Sequence, residues 1–151
     1  MTTAVSEAAK DSLVGPVSRA PGEDFVRIRF ACDSGDGMQL TGTQFAAAAA
    51  EFGNDFATFP DYPAEIRAPI GTTYGVSAYS INIGRTEVKT YGDQVDLLIA
   101  MNPAALKVAL TDLRDGGAIL LDSGTFTARN LSKAGYTPTT RAAMAAWPVL
   151  R

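Results

Sequence analysis

The sequence predicts an α/β domain, a three-layer Rossmann-like arrangement with a mostly parallel sheet. Three observations carry this. An aromatic and β-branched run at residues 25–31 leads straight into a glycine turn and then a helical period. A near-continuous apolar run at residues 95–101 reads as a strand covered on both faces. A helix and another strand follow it with short links, a unit that forms a right-handed crossover in nearly every sheet. Such alternation puts helices on both sides of a sheet and ligands at the carboxyl ends of its strands.

Each element has a local cause. Phe25-Val26-Arg27-Ile28-Arg29-Phe30-Ala31 is the first strand, and its two arginines fit a strand near a sheet edge with one face toward solvent. Cys32-Asp33-Ser34-Gly35-Asp36-Gly37 is a sharp turn. A helix runs from about residue 38 to 52. Phe45, Ala48, Ala49 and Phe52 define its apolar face, and the alanine run 46–50 keeps it thin enough to approach a sheet closely. Gly53-Asn54 stops it.

Residues 55–59 form a second strand. Pro60, Pro63 and Pro69 then exclude regular helix, so residues 61–73 are an ordered loop or extended crossing segment. Residues 74–83 alternate apolar and small polar side chains, the pattern of a strand exposed on one face, and Gly84 ends it. After the strand within 93–101, Asn102 is placed as a helix N-cap and Pro103 at the first helical position. Leu106, Ala109, Leu110 and Leu113 give the buried stripe, with Gly116 as the expected stop. Residues 118–122 are the next strand. Residues 1–24, with Gly15-Pro16 and Pro21-Gly22, read as a flexible leader. The domain is expected over 25–151, truncated at its C-terminus, because residues 145–150 resemble a strand just starting.

Composition narrows the function. The 151 residues suit one domain, and 46% apolar content excludes a disordered chain. With 13 Lys+Arg against 16 Asp+Glu the net charge is −3, which argues against nucleic-acid binding through a basic face. No histidine is present, so the Ser-His-Asp triad and most zinc sites are excluded. The single cysteine, Cys32, cannot hold an iron–sulfur cluster or an internal disulfide, and it reads as a small apolar residue at a strand end. It fits a reducing, cytoplasmic setting. The apolar runs are far too short for a membrane span.

Two motifs nearly match. Gly35-Asp36-Gly37 has the first two glycines of a dinucleotide fingerprint, but Leu40 replaces the third. Gly37 and Gly42 have P-loop spacing, but Thr43-Gln44 stands where a lysine and a hydroxyl residue belong. Backbone N–H groups after such a turn suit an anion, against which Asp36 works; equally, the glycines can simply build a tight turn. Gly-Asp-Gly also occurs in thiamine diphosphate sites, where a second magnesium ligand, usually Asn, follows some tens of residues later; here that position falls in the Pro60-Asp61-Tyr62-Pro63 segment, so direct thiamine binding by this turn is rejected. In the proline segment, Glu65 and Arg67 share a face on extended backbone, either as an ion pair or with Arg67 free to grip a carboxylate or phosphate.

Taken together, Pro60-Asp61-Tyr62-Pro63-Ala64-Glu65-Ile66-Arg67-Ala68-Pro69-Ile70-Gly71-Thr72, Gly75-Val76-Ser77, Met101-Asn102-Pro103 and Leu121-Asp122-Ser123-Gly124 resemble the gamma-type domain that opens the alpha subunit of 2-oxoacid (2-oxoglutarate):ferredoxin oxidoreductases. The resemblance spans about residues 25–136. The turn departs from it, with Ser34-Gly35-Asp36-Gly37 where related domains often carry Gly-Gly-Gln-Gly.

The resemblance implies a part of a heteromeric, cytoplasmic enzyme that converts a 2-oxoacid and CoA to acyl-CoA and CO2 and passes electrons to ferredoxin. It implies that no cofactor is held by this chain alone. Thiamine diphosphate, magnesium and the iron–sulfur cluster belong to other domains or subunits, and CoA is a co-substrate. The implied partners are the pyrimidine-binding part of the alpha subunit, the thiamine-binding beta subunit and ferredoxin, with no nucleic acid and no membrane. The residues expected to face the active site are Ser34, Gly35, Asp36, Gly37, Glu65, Arg67, Gly71, Thr72, Asn102 and Ser123, in a positioning rather than catalytic role. The alternative is a free-standing nucleotide- or dinucleotide-binding module, with Gly35, Gly37 and Gly42 as phosphate loop and Asp61 as ribose partner.

Overall fold

The computed structural model describes residues 25–65, 68–84 and 92–137. The expected leader, Arg67 and the incipient strand at 145–150 lie outside these residues. The elements are β1 (Phe25–Asp33), α1 (Met38–Glu51), β2 (Asp55–Asp61), β3 (Val76–Gly84), β4 (Val95–Ala100), α2 (Pro103–Ala109), β5 (Leu113–Leu121) and α3 (Ala128–Lys133). The strands form one five-stranded sheet in the order β2-β3-β1-β4-β5.

β1, β4 and β5 pair in parallel, whereas β3 runs antiparallel to both β1 and β2. Four strands therefore share a direction and β3 alone opposes them. The reversal follows from the prolines. The link from β2 to β3 cannot form a crossover helix, so it turns the chain back at the end where β2 finishes. That end is also where β1 and β4 finish, and Asp33 pairs with Val76 at the start of β3. The proline segment is thereby confined to the carboxyl rim of the sheet.

The two longer helices cover opposite faces. α1 lies over a cluster that includes Ile28, Phe30, Cys32, Tyr79 and Ile81. α2 lies over Ala31, Leu98 and Ala100, burying Ala105, Leu106 and Ala109. Leu98 and Leu106 are fully enclosed, each worth about 1.5–3 kcal/mol against exposure. Asn102 accepts the Ala105 N–H at 2.8 Å and Pro103 takes the first helical position, as the sequence predicts. With α1 leaving β1 to one face and α2 leaving β4 to the other, the carboxyl ends of β1 and β4 form a switch point.

Several expectations are corrected. The buried residues of α1 are Met38, Gly42 and Ala46. The predicted face is largely outside the core: Phe45 is 41% and Phe52 86% exposed. The reason is close approach. A Cβ on Gly42 would clash with the Cδ1 edge of the Tyr79 ring, so the smallest side chain marks the contact line. β1 is the central strand rather than a near-edge one, and Arg29 is buried, bonded to Asp61 at 2.7 Å and paired with Asp112 at 3.4 Å. β3 is buried on both faces because α1 packs over Tyr79 and Ile81 on one side and α2 over Ala78 on the other; its polar Ser80 and Asn82 are enclosed. β2 extends through Pro60 to Asp61, a place open to proline because β2 is an edge strand. Gly116 does not stop a helix. β5 already begins at Leu113, and Gly116, at φ +74°, lies where the β4–β5 register shifts between Val95 and Leu97.

Candidate functional site

The carboxyl rim is built around Asp33, the last residue of β1. Its side chain is buried, 5% exposed, and Oδ2 accepts the Gly71 N–H at 2.6 Å. Burial is the main force raising its carboxyl above the ordinary value. The Gly71 N–H and the Asn102 side chain oppose that shift, Asp36 adds to it, and Lys133 opposes it weakly. One residue further on, the Ser34 N–H donates to the Gly75 carbonyl at 2.9 Å. The end of β1 thus holds the proline segment at two points.

The segment is also ordered internally. Thr72 closes a turn on Pro69, its N–H at 3.2 Å and its hydroxyl at 2.7 Å from the Pro69 carbonyl. The Glu65 N–H donates to the Tyr74 carbonyl at 3.3 Å. Lys133 Nζ, from the end of α3, donates to the Ile70 carbonyl at 3.3 Å. Gln39 of α1 donates to the Ala78 carbonyl at 3.0 Å and to Ser77 Oγ at 3.3 Å, tying the helix start to β3. Outward from this frame stand Tyr62, Ile70 and Tyr74, with Ile70 76% and Tyr74 65% exposed.

The predicted residues divide. Ser34, Gly71 and Asn102 gather around Asp33, with Thr72 next to Gly71. Gly35, Asp36 and Gly37 form the exposed turn, where Gly35 at φ +101° and Gly37 at φ +79° supply left-handed backbone. Glu65 is exposed and contributes backbone bonds to the segment. The Glu65–Arg67 pairing lies outside the described residues. Ser123 opens a 3-10 turn after β5, capped by Asp122, and Thr125 of that turn donates to the Met101 carbonyl at 2.5 Å. Ser123 therefore sits on the β4–β5 side of the rim, with no hydrogen bond among the described residues linking it to the Asp33 group.

Sequence reasoning missed Asp33 and Lys133. Asp33 adjoins the turn, a placement that marks it as a rim residue, whereas nothing local to Lys133 announces a partner 63 positions away. Cys32 is buried, its thiol donates to the Asp33 carbonyl at 3.0 Å, and burial pushes its pKa up to about 11, so it is an inert apolar residue as read.

Two residues of the nucleotide alternative are otherwise engaged. Gly42 is closed against Tyr79, and Asp61 is bound by Arg29. The turn does not fit a magnesium diphosphate either. Asp36 is the one acidic side chain among its exposed residues 34–37, Asp33 is turned to the Gly71 N–H, and among the described residues no group of three or more His, Cys, Asp or Glu converges. Among the described residues no helix is long and apolar enough to cross a membrane.

Known proteins share this arrangement. The family model for pyruvate ferredoxin/flavodoxin oxidoreductase matches residues 27–149. The 2-oxoglutarate oxidoreductase subunit KorA of Mycobacterium tuberculosis is 60% identical over 111 residues, covering 74% of this chain and 17% of that protein. The ketoisovalerate oxidoreductase subunit VorA of Methanothermobacter thermautotrophicus is 31% identical over 121 residues, 80% of this chain and 24% of the relative. The 2-oxoglutarate:ferredoxin oxidoreductase from Magnetococcus marinus, solved with 2-oxoglutarate, coenzyme A and succinyl-CoA bound, superimposes with a TM-score of 0.59 at 25% identity, over 82% of this chain and 21% of that one. The gamma subunit of a keto/oxoacid ferredoxin oxidoreductase from Geobacter sulfurreducens gives 0.54 at 26% identity, over 76% and 55%. This chain thus spans about a fifth of the curated relatives it matches.

Proposed function

This chain belongs to the pyruvate ferredoxin/flavodoxin oxidoreductase family, and from that premise we propose that it is the gamma-type domain of the alpha subunit of a cytoplasmic 2-oxoglutarate:ferredoxin oxidoreductase. The whole complex joins the acyl part of the 2-oxoacid to the CoA sulfur and releases CO2 and a proton, while the electron pair passes to ferredoxin. Thiamine diphosphate, magnesium and the iron–sulfur cluster reside in partner domains and subunits, where they supply the decarboxylation and the electron path. The domain itself walls the site. Residues 34–37, Glu65, Gly71, Thr72 and Ser123 form its face toward the pyrimidine-binding and thiamine-binding partners, with the buried Asn102 behind it.

The observation that carries this reading is the 60% identity with a 2-oxoglutarate oxidoreductase subunit. The placement of the proline segment supports it. A segment confined to the rim and held at Gly71 and Gly75 offers a neighbour a preorganised edge, with little ordering entropy left to lose on contact.

The test is turnover by the assembled complex, followed as ferredoxin reduction with 2-oxoglutarate and CoA. The complex containing this chain is expected to reduce ferredoxin only when both substrates are present, and to prefer 2-oxoglutarate over 2-oxoisovalerate. The chain alone is expected to give none. Robust turnover by the isolated chain, or an assembled complex inert toward 2-oxoglutarate, contradicts the proposal.

A further inference from the structure

The two contacts that hold the proline segment at Ile70 and Gly71 act on a single peptide group. The Ile70 carbonyl oxygen accepts from Lys133 Nζ at 3.3 Å, and the Gly71 N–H donates to Asp33 Oδ2 at 2.6 Å. The Ile70–Gly71 peptide is therefore gripped at both ends of its dipole, by an ammonium group from α3 and a carboxylate from β1. Both bonds are charge-assisted, the stronger class. Gly71 is at φ +84°, and a Cβ there would lie 3.3 Å from Lys133 Cδ, so both the backbone and the lysine stem favour glycine.

We infer that Asp33 and Lys133 are positioning residues which together fix the plane of the Ile70–Gly71 peptide, and so set how Ile70 and Thr72 are presented at the rim. Three features argue for this beyond simple loop anchoring. The carboxyl is enclosed, so its short bond to the Gly71 N–H is shielded from competing water. The lysine comes from an element distant in sequence, so the clamp joins the β1 end, the segment and α3 into one unit. Ile70, whose carbonyl is held, points its large apolar side chain outward, 76% exposed. A fixed peptide beside an exposed apolar side chain is the form of a surface prepared for contact. The groups facing Asp33 among the described residues are Asn102, Asp36 of the turn and Lys133 of α3. The inference rests on the proposed function for its consequence in turnover, but not for the clamp itself.

The experiment therefore has two readouts on the same variants. Hydrogen exchange at the Gly71 amide in the full chain needs no substrate and reports the clamp. Steady-state kinetics of the assembled complex report its consequence. Asp33→Ala and Lys133→Met are each expected to speed Gly71 exchange about tenfold or more. Asp33→Asn, which keeps an acceptor, should return protection to within about threefold of the parent. In the complex, Asp33→Ala and Lys133→Met should lower kcat/KM about tenfold with assembly intact, and Asp33→Asn should restore most of it. Should Asp33→Ala not fold, Lys133→Met alone decides, because its change is at the surface end of a long side chain. Unchanged Gly71 exchange in Lys133→Met overturns the clamp. Faster exchange with unaltered kcat/KM in an active complex overturns the positioning role. If the parent complex has no 2-oxoacid activity, the proposed function fails while the exchange result still judges the clamp.

Discussion

Gly42 of α1 lies directly against the ring of Tyr79 in β3, so close that any β-carbon at position 42 would overlap the ring carbons. This contact sets the distance between α1 and the sheet. It also fills, two positions late, the packing role that a third glycine serves in dinucleotide-binding turns. Gly42→Ala is expected to destabilise the domain by about 1–3 kcal/mol, the cost of overpacking a tight contact. Urea denaturation measures it. Gly35→Ala is the informative control. Nothing lies within 4 Å of a Cβ there, and only its φ of +101° opposes the change, so about 1–2 kcal/mol is expected. If Gly42→Ala is neutral, the helix is not held by this contact.

Arg29 occupies the central strand and reaches acids from two other places, Asp61 at the end of the edge strand β2 and Asp112 in the 3-10 turn before β5. Each acid shields the enclosed guanidinium if the other is lost. Asp61→Ala and Asp112→Ala are each expected to cost about 1 kcal/mol, because both carboxylates are partly solvated. The double variant should cost more than the sum, by about 1 kcal/mol or more. Strict additivity in a double-mutant cycle would show that the two acids do not share Arg29.

Asp33 gives a pH signature with a definite sign. Its folded carboxyl binds protons more tightly than the unfolded one, chiefly because it is buried. Its contribution to stability is therefore fully present below the ordinary carboxylate range and is lost as pH rises through the folded value. Asp33→Asn removes that loss while keeping an acceptor for Gly71. The urea midpoint of the variant should gain on the parent as pH rises through and above the ordinary carboxylate range. A variant that instead falls behind across that window would mean that the carboxylate is stabilised by its partners more than burial penalises it.

Cys32 offers a simple check of the core. With the thiol buried and its pKa near 11, the folded chain should resist alkylation by iodoacetamide at pH 8 and react promptly in urea. Mass spectrometry of the alkylated chain reads this directly. Stoichiometric labelling under native conditions would place Cys32 outside the α1 side of the core.

Local chemistry made much of this fold legible. The β1 strand, the glycine turn, the Asn102-Pro103 helix start and the proline segment each follow from residues a few positions apart, and each is where the sequence puts it. What escaped was decided by residues far apart. Periodicity counts Phe45 and Phe52 as the strongest apolar positions of α1, but it cannot see that glycine and alanine mark the line of closest approach. Two arginines in one strand look like an edge until Asp61 and Asp112 arrive from elsewhere in the chain to receive Arg29. Gly116 serves a left-handed backbone in either a helix stop or an irregular strand, and only the register with β4 distinguishes them. At the site, Ser34 and Asn102 were legible as rim positions because each closely follows a strand, whereas the clamp was not, because Lys133 reaches Ile70 across the fold.

The central claim is that the proline segment, fixed to the carboxyl rim, is the edge along which this domain meets the partner carrying the thiamine chemistry. Photo-cross-linking tests it most directly. A benzophenone amino acid is placed at Ile70 or Tyr74 on the segment, or at Phe56 near the start of β2 at the opposite rim, and each variant is assembled into an active complex. Adducts from Ile70 and Tyr74 are expected to map to the pyrimidine- or thiamine-binding polypeptide, with none from Phe56. An active complex in which the segment positions cross-link to nothing, while Phe56 does, would contradict it.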